Sequence, residues 1–211
     1  MSRLNAQLCV IICLMARKYE MKRRAERQKE THRRITEAAI ELHQTVGPAR
    51  TSISAIAEKA GVQRHTFYNH FPEEIDLHRA CAGHYMDLNP PPDLTTWDDI
   101  SDPEERLKVA LTEVYAFYSR TEPMFTNVLR DAQVHPLVAE VTEPILRYWQ
   151  KMRDSLAEGW GVVDERHEVL LGALALALDF QSWRTLSRQQ GLQDERAVEL
   201  MVTMTRCAVG D

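Results

Sequence analysis

TSISAIAEKAGVQRHTFYNHF, residues Thr51 to Phe71, decides the fold of this chain. Ser52 is placed to cap a short helix running to Ala60, with Ile53, Ile56 and Ala57 facing inward. Gly61 turns the chain, and Gln63 to His70 form a second short helix. Two short helices joined by a tight turn containing glycine describe a helix-turn-helix, a unit that sends its second helix into the major groove of DNA. Phe67 and Phe71, four residues apart, would anchor that second helix to a core. Its other face then displays Arg64, His65, Tyr68 and Asn69, side chains able to reach phosphates and base edges.

Outward from this unit the pattern is helical in both directions. Upstream, Ile35, Ala39, Leu42 and Val46 keep one face of a helix that Gly47-Pro48 stops. Downstream, Pro72 and Glu73-Glu74 open a helix to about Leu88, and Asn89-Pro90-Pro91-Pro92-Asp93 breaks it. Asp102-Pro103 starts the next, with Leu107, Leu111, Val114 and Tyr118 as its stripe. Thr121-Glu122-Pro123 is expected to begin another, ending near His135-Pro136, and Thr142-Glu143-Pro144 a further one, ending at Gly159. Asp164 then caps a long helix from Glu165 to Gln190, and Asp194 caps the last, with Ala197, Leu200, Met201, Met204 and Ala208 on one face. No period-two strand competes with these readings. The expected class is all-α, with about nine helices.

Ile35-Thr36-Glu37-Ala38-Ala39, Thr51 to Val62 and Thr66 to Phe71 together resemble the signature of the tetracycline-repressor (TetR) family, from Thr31 to Leu77. The resemblance implies an N-terminal three-helix helix-turn-helix DNA-binding domain and a C-terminal helical bundle that binds a ligand and dimerises. Carried over by position, it implies phosphate contacts at Ser52 and Gln63, base contacts at Arg64 and His65, and contacts to backbone or neighbouring bases from the Tyr-x-His pair Tyr68 and His70. The chain departs from the family pattern at Glu74, where a Lys is common. A carboxylate there suits the helix dipole but repels phosphate, which shifts the expected electrostatic attraction to the basic run Lys22 to Arg34.

Charge is distributed to match. Residues 1–80 carry 14 Lys and Arg against 9 Asp and Glu, and the remainder 12 against 22, a basic head on an acidic body. The expected organisation is an extension at residues 1–20, disordered or arising from an upstream translation start, a helix-turn-helix domain at 21–78, and an effector-binding and dimerisation domain at 79–211. The apolar run Leu8 to Ala16 is too short to cross a bilayer and has only Arg3 before it, so no membrane partner is expected and a cytoplasmic location follows. A short amphipathic or self-associating helix is the competing reading of that run.

In the body, the resemblance implies a pocket for an unidentified small molecule, and Met86, Tyr115, Tyr118, Phe125, Tyr148, Trp149, Asp179 and Trp183 are its candidates. Asp179 ends the apolar run Leu170 to Leu178. If buried it needs a partner, for which Arg130, His135 or Arg184 are available; a solvent-facing or dimer-rim Asp179 is the alternative. The same apolar run suits a homodimer interface built from helices at about 165–190 and 194–208. Catalysis finds no support: there is no His-Glu-x-x-His, Gly-x-Ser-x-Gly, phosphate-cradling Gly loop or Cys-x-x-Cys. His78 and His84 lack an obvious metal partner, Cys81 and Cys207 read as core thiols, and neither cofactor nor metal is expected. The function expected is that of a one-component regulator, a repressor that binds double-stranded operator DNA as a dimer and leaves it when an effector binds. The alternatives are an architectural or division-linked DNA-binding protein without a small ligand, and a helical enzyme or interaction module.

Overall fold

The computed structural model describes residues 3–210, with side chains from Lys18 onward. Among the described residues the fold is all-α, and the nine helices are α1 (Arg3–Thr45), α2 (Ile53–Lys59), α3 (Arg64–His70), α4 (Glu74–Leu88), α5 (Pro103–Ala132), α6 (Pro136–Leu156), α7 (Asp164–Leu178), α8 (Phe180–Trp183) and α9 (Asp194–Val209). Short 3-10 turns lie at Pro48–Arg50 and Leu94–Trp97, and a π-helical turn at Arg184–Gln189. Local signals act as their chemistry dictates. The Ser52 hydroxyl accepts from the Ala55 amide at 3.2 Å, and the Asp102 carboxylate accepts from the Glu104 amide at 3.1 Å ahead of Pro103.

Two apolar cores are bridged by α5. In the head, Ile35 and Ala39 of α1, Ile56 of α2, Phe67 of α3, Phe71 just beyond it and Leu77 of α4 bury together. In the body, Leu107, Leu111, Val114 and Tyr115 of α5 pack with Met152 and Leu156 of α6, Leu170 and Leu174 of α7, and Ala197 and Met201 of α9. Helix α5 touches α1, α6 and α9, and its Met124 enters the head core. Head and body are therefore joined through packed side chains as well as through the chain.

The helix boundaries differ from the sequence expectation at Pro123, Pro144 and Asp179. Among the described residues α1 passes through residue 20, and no Gly or Pro stands between Arg3 and Thr45 to interrupt it. The apolar run Leu8 to Ala16 lies outside the residues whose side chains are described. Pro123 and Pro144 do not start helices but lie inside α5 and α6. Each follows a Thr whose hydroxyl donates to the carbonyl one turn back, Thr121 to Phe117 and Thr142 to Val138, both at 2.7 Å, and each sits on an exposed face opposite a buried stripe. Packing of that stripe outweighs the one missing backbone hydrogen bond. Finally, the long helix expected from Glu165 to Gln190 is broken at Asp179, whose extended backbone (φ −75°, ψ 131°) ends α7 and caps α8.

Candidate functional site

Helix α3 is held from behind. Phe67 and Phe71 are buried against α1 and α4, their rings 5.7 Å apart, so the helix cannot roll. Arg64, His65, Tyr68 and Asn69 are exposed on the outer side, Tyr68 at 43 %, and His70 is half-buried. Gln63 precedes the helix in extended conformation, and its side chain takes no part in capping. Ser52 is exposed and uses its hydroxyl oxygen as an acceptor, which leaves the O–H to donate outward. Of the residues singled out in the sequence, Ser52, Gln63, Arg64, His65, Tyr68 and Asn69 are thus exposed, and those of α3 flank the buried Phe67. A face of this kind offers donors in both neutral and cationic form, the chemistry that phosphates and base edges require.

Helix α1 adds charge to the same surface. The His32 ring lies 4.5 Å from Phe71 and meets His70 edge-on at 6.1 Å, which brings the basic stretch of α1 to the C-terminal end of α3. From Lys18 to Lys29 every side chain is exposed. Two cations of this stretch are paired within the helix: Lys22 faces Glu26 at 4.0 Å, and Glu30 and Glu37 hold the Arg33 guanidinium through hydrogen bonds of 2.6–2.9 Å. Glu74, the departure from the family pattern, faces His78 at 3.7 Å and His135 at 3.8 Å, so its carboxylate is engaged toward the body.

A second feature opens behind the head. A cavity of about 700 Å³ lies between α4 and α6, floored by α5, with His43 and Pro48 from the end of α1 in its wall. Met86, Phe125 and Tyr148 line it; the other pocket candidates do not. Tyr115, Tyr118 and Trp183 are fully packed into the body core, where the Tyr115 and Tyr118 hydroxyls donate to the carbonyls of Ala177 and Leu178 and the Trp183 indole donates to Asp194. The two tyrosine contacts hold the break between α7 and α8, and the indole ties α8 to α9, structural duties that the residue types alone do not reveal. Trp149 packs edge-on against Phe117 and Tyr118. Asp179 is exposed and accepts from the Ser182 amide at 2.7 Å, so it is a helix cap and needs no buried cation.

The residues missed in the sequence are those that tie body to head. Asn127 donates to the carbonyls of His43 and Gln44 at 3.0 and 2.8 Å, the last turn of α1. The buried Asp131 carboxylate accepts from the Ala49 amide at 3.0 Å and from Arg130, which in turn donates to the Val46 carbonyl. Despite its burial, these donors hold the Asp131 carboxyl below its ordinary range. Gly47 between them has φ +97°, and a Cβ there would meet Arg130 and Asp131. A signal existed: Asn127 and Asp131 are one turn apart on the buried stripe of α5, where uncompensated polar groups are costly. Arg130, considered as a partner for Asp179, belongs to this latch instead. Among the described residues, no group of three or more His, Cys, Asp or Glu is arranged to hold a metal ion.

Comparison with known proteins agrees with this geometry. Residues 35–80 match the family described as bacterial regulatory proteins, tetR family. The chain is 26% identical over 167 residues to the HTH-type transcriptional regulator SrpR of Pseudomonas putida, spanning 75% of this chain and 70% of that protein. In three dimensions it resembles a TetR-like transcriptional regulator from Rhodococcus sp. RHA1, with a TM-score of 0.57, 21% identity, and coverage of 86% of this chain and 97% of that one. It also resembles the multidrug binding protein EbrR, solved in complex with imidazole, with a TM-score of 0.53, 19% identity, and coverage of 83% and 89%.

Proposed function

We propose that this chain, whose residues 35–80 match the tetR family of bacterial regulatory proteins, is a one-component repressor that binds operator DNA as a homodimer and is released by a small-molecule effector. Its head, within residues 21–78, contacts DNA through Gln63 to His70, with Ser52 and Gln63 on phosphates, Arg64 and His65 on base edges, and Tyr68, Asn69 and His70 beside them. Its body, within 79–211, carries the effector site and the dimer interface.

The observation that carries this reading is the shared wall: α4 and the end of α1 bound the cavity on one side and the head core on the other. An effector that changes the α4–α6 spacing therefore acts on the elements that aim α3. Its effect is limited by its differential affinity for the two spacings. A fully packed body would have favoured a DNA-binding protein without a ligand, whereas a cavity of about 700 Å³ is of the size that takes one. The name of EbrR as a multidrug binding protein supports the same view.

A two-fold assembly is supported by the outer faces of α7 and α9, where Val169, Leu176, Leu200 and Met204 are 38–50 % exposed. Dimeric helix-turn-helix proteins place two recognition helices about 34 Å apart, one turn of the duplex. Among the described residues no helix is long and apolar enough to cross a membrane, which suits work on DNA in the cytoplasm.

The test is a fluorescence-anisotropy titration against DNA from upstream of its own gene, beside scrambled DNA, at several salt concentrations. The wild type is expected to prefer the upstream DNA, and Arg64→Ala/Tyr68→Ala to lose that preference while its melting curve is unchanged. Equal, steeply salt-dependent binding to both DNAs by the wild type would mean phosphate attraction alone and would overturn site-specific recognition through α3.

A further inference from the structure

The cavity between α4 and α6 carries information about what enters it, because its charges are already paired. At the mouth, Arg79 of α4 donates to Glu140 of α6 at 2.8 Å, and Arg147 pairs with Glu143 one turn away on α6. All four carry half or more of their side-chain surface in water, so they lie at the rim where solvent shares their charge. Deeper, the walls are Met86, Met124, Phe125, Val138 and Ile145. The Tyr148 hydroxyl is committed to the Pro92 carbonyl at 2.5 Å and the Thr142 hydroxyl to Val138.

The ionisable groups inside are His43, His78, Cys81 and Tyr85, the last a phenol that burial keeps neutral. His43 and His78 are buried and stacked, with ring centroids 5.7 Å apart, so protonating one disfavours the other. Burial holds both imidazoles below their ordinary range, His43 at about 4, and pushes the Cys81 thiol up to about 12. Two carboxylates stand behind them. Glu74 reaches His78 and His135 from the exposed start of α4, and Asp131, near His43, is taken up by Arg130 and the Ala49 amide. Near neutral pH the interior therefore presents no net charge and no unpaired counter-ion. A ligand charge entering it would lose its hydration without gaining a partner.

We propose that this cavity binds an uncharged, mainly apolar molecule of drug size and rejects anions and cations of the same shape. The proposal rests on the effector reading above and supplies its chemical class. It assigns the discrimination to the apolar walls of α4, α5 and α6, with the rim pairs Arg79–Glu140 and Arg147–Glu143 left intact.

Three fluorescent probes that share one ring system and differ in charge test it at pH 7.5: 1-pyrenemethanol, 1-pyrenecarboxylate and 1-pyrenemethylammonium. The full-length protein is expected to bind the alcohol at least tenfold more tightly than either ion. Val141→Trp, which fills the cavity from α6, is expected to abolish binding of the alcohol. Should that variant melt early, Ile145→Trp replaces it. Either ion binding as tightly as the alcohol would overturn the proposal, as would alcohol binding that both Trp variants leave unchanged. Anisotropy with upstream DNA is read in the same samples. Alcohol binding without release of DNA would uphold the ligand class and overturn the effector reading. Intact DNA binding with no affinity for any probe would overturn the ligand class and leave the regulator standing.

Discussion

His43 shows how one residue type can serve two descriptions. On the sequence it falls on the helix that precedes the helix-turn-helix and carries no signal. In the structure it is 4 % exposed, lies against His78, and offers its carbonyl to Asn127. Because burial lowers its pKa to about 4, the unfolded chain binds a proton that the folded chain refuses. Its contribution is therefore fully present above about pH 6.5 and is lost as the pH falls from there toward 4, a change of roughly 3 kcal/mol. The melting temperature should drop over this window, and His43→Gln should flatten part of the drop. A variant with the wild-type slope would exclude His43 as its source. The Asp131 carboxylate does not confuse this window, because its pKa is held below the ordinary carboxylate range and its own loss comes at lower pH.

At the scale of elements, the most instructive is the run from α7 to the π-helical turn. Leu170 to Leu178 reads as apolar all round, which on its own cannot say which side is buried. The structure divides it: Leu170, Leu174, Ala177 and Leu178 enter the core, while Leu176, like Val169 just before the run, remains outside. The helix stops at Asp179 because the carbonyls of Ala177 and Leu178 are claimed by Tyr115 and Tyr118 of α5 and the Asp179 side chain caps α8. Asp179→Ala should therefore cost about 1 kcal/mol in a urea titration, and Asp179→Asn far less, since Asn is also a good cap. Equal losses for both would mean that the charge, not the cap, is what matters. Proline misled in the opposite sense. Thr-Glu-Pro looks like a helix start at both 121–123 and 142–144, yet long buried stripes carry α5 and α6 through it.

For the whole molecule, the outer faces of α7 and α9 define what a partner copy would cover. Leu176→Lys/Met204→Lys should yield a monomer by sedimentation velocity, with helicity by circular dichroism unchanged and affinity for upstream DNA much reduced. A double variant that remained dimeric would move the interface elsewhere. Much of the molecule is legible in the sequence. The helix-turn-helix, its capping Ser52, its anchors Phe67 and Phe71 and its outward face are local, set by residues within a few turns of one another and by the 3.6-residue period. The all-α class comes from the same period along the chain. The tertiary structure decided the rest. It put Tyr115, Tyr118 and Trp183 in the core rather than around a ligand, left a cavity between α4 and α6, and locked Asn127, Arg130 and Asp131 onto the end of α1. These outcomes depend on contacts between residues some 60 to 85 positions apart. An aromatic or an amide carries no mark of which distant backbone group it will meet, so periodicity can say that a side chain is buried but not what it is buried against.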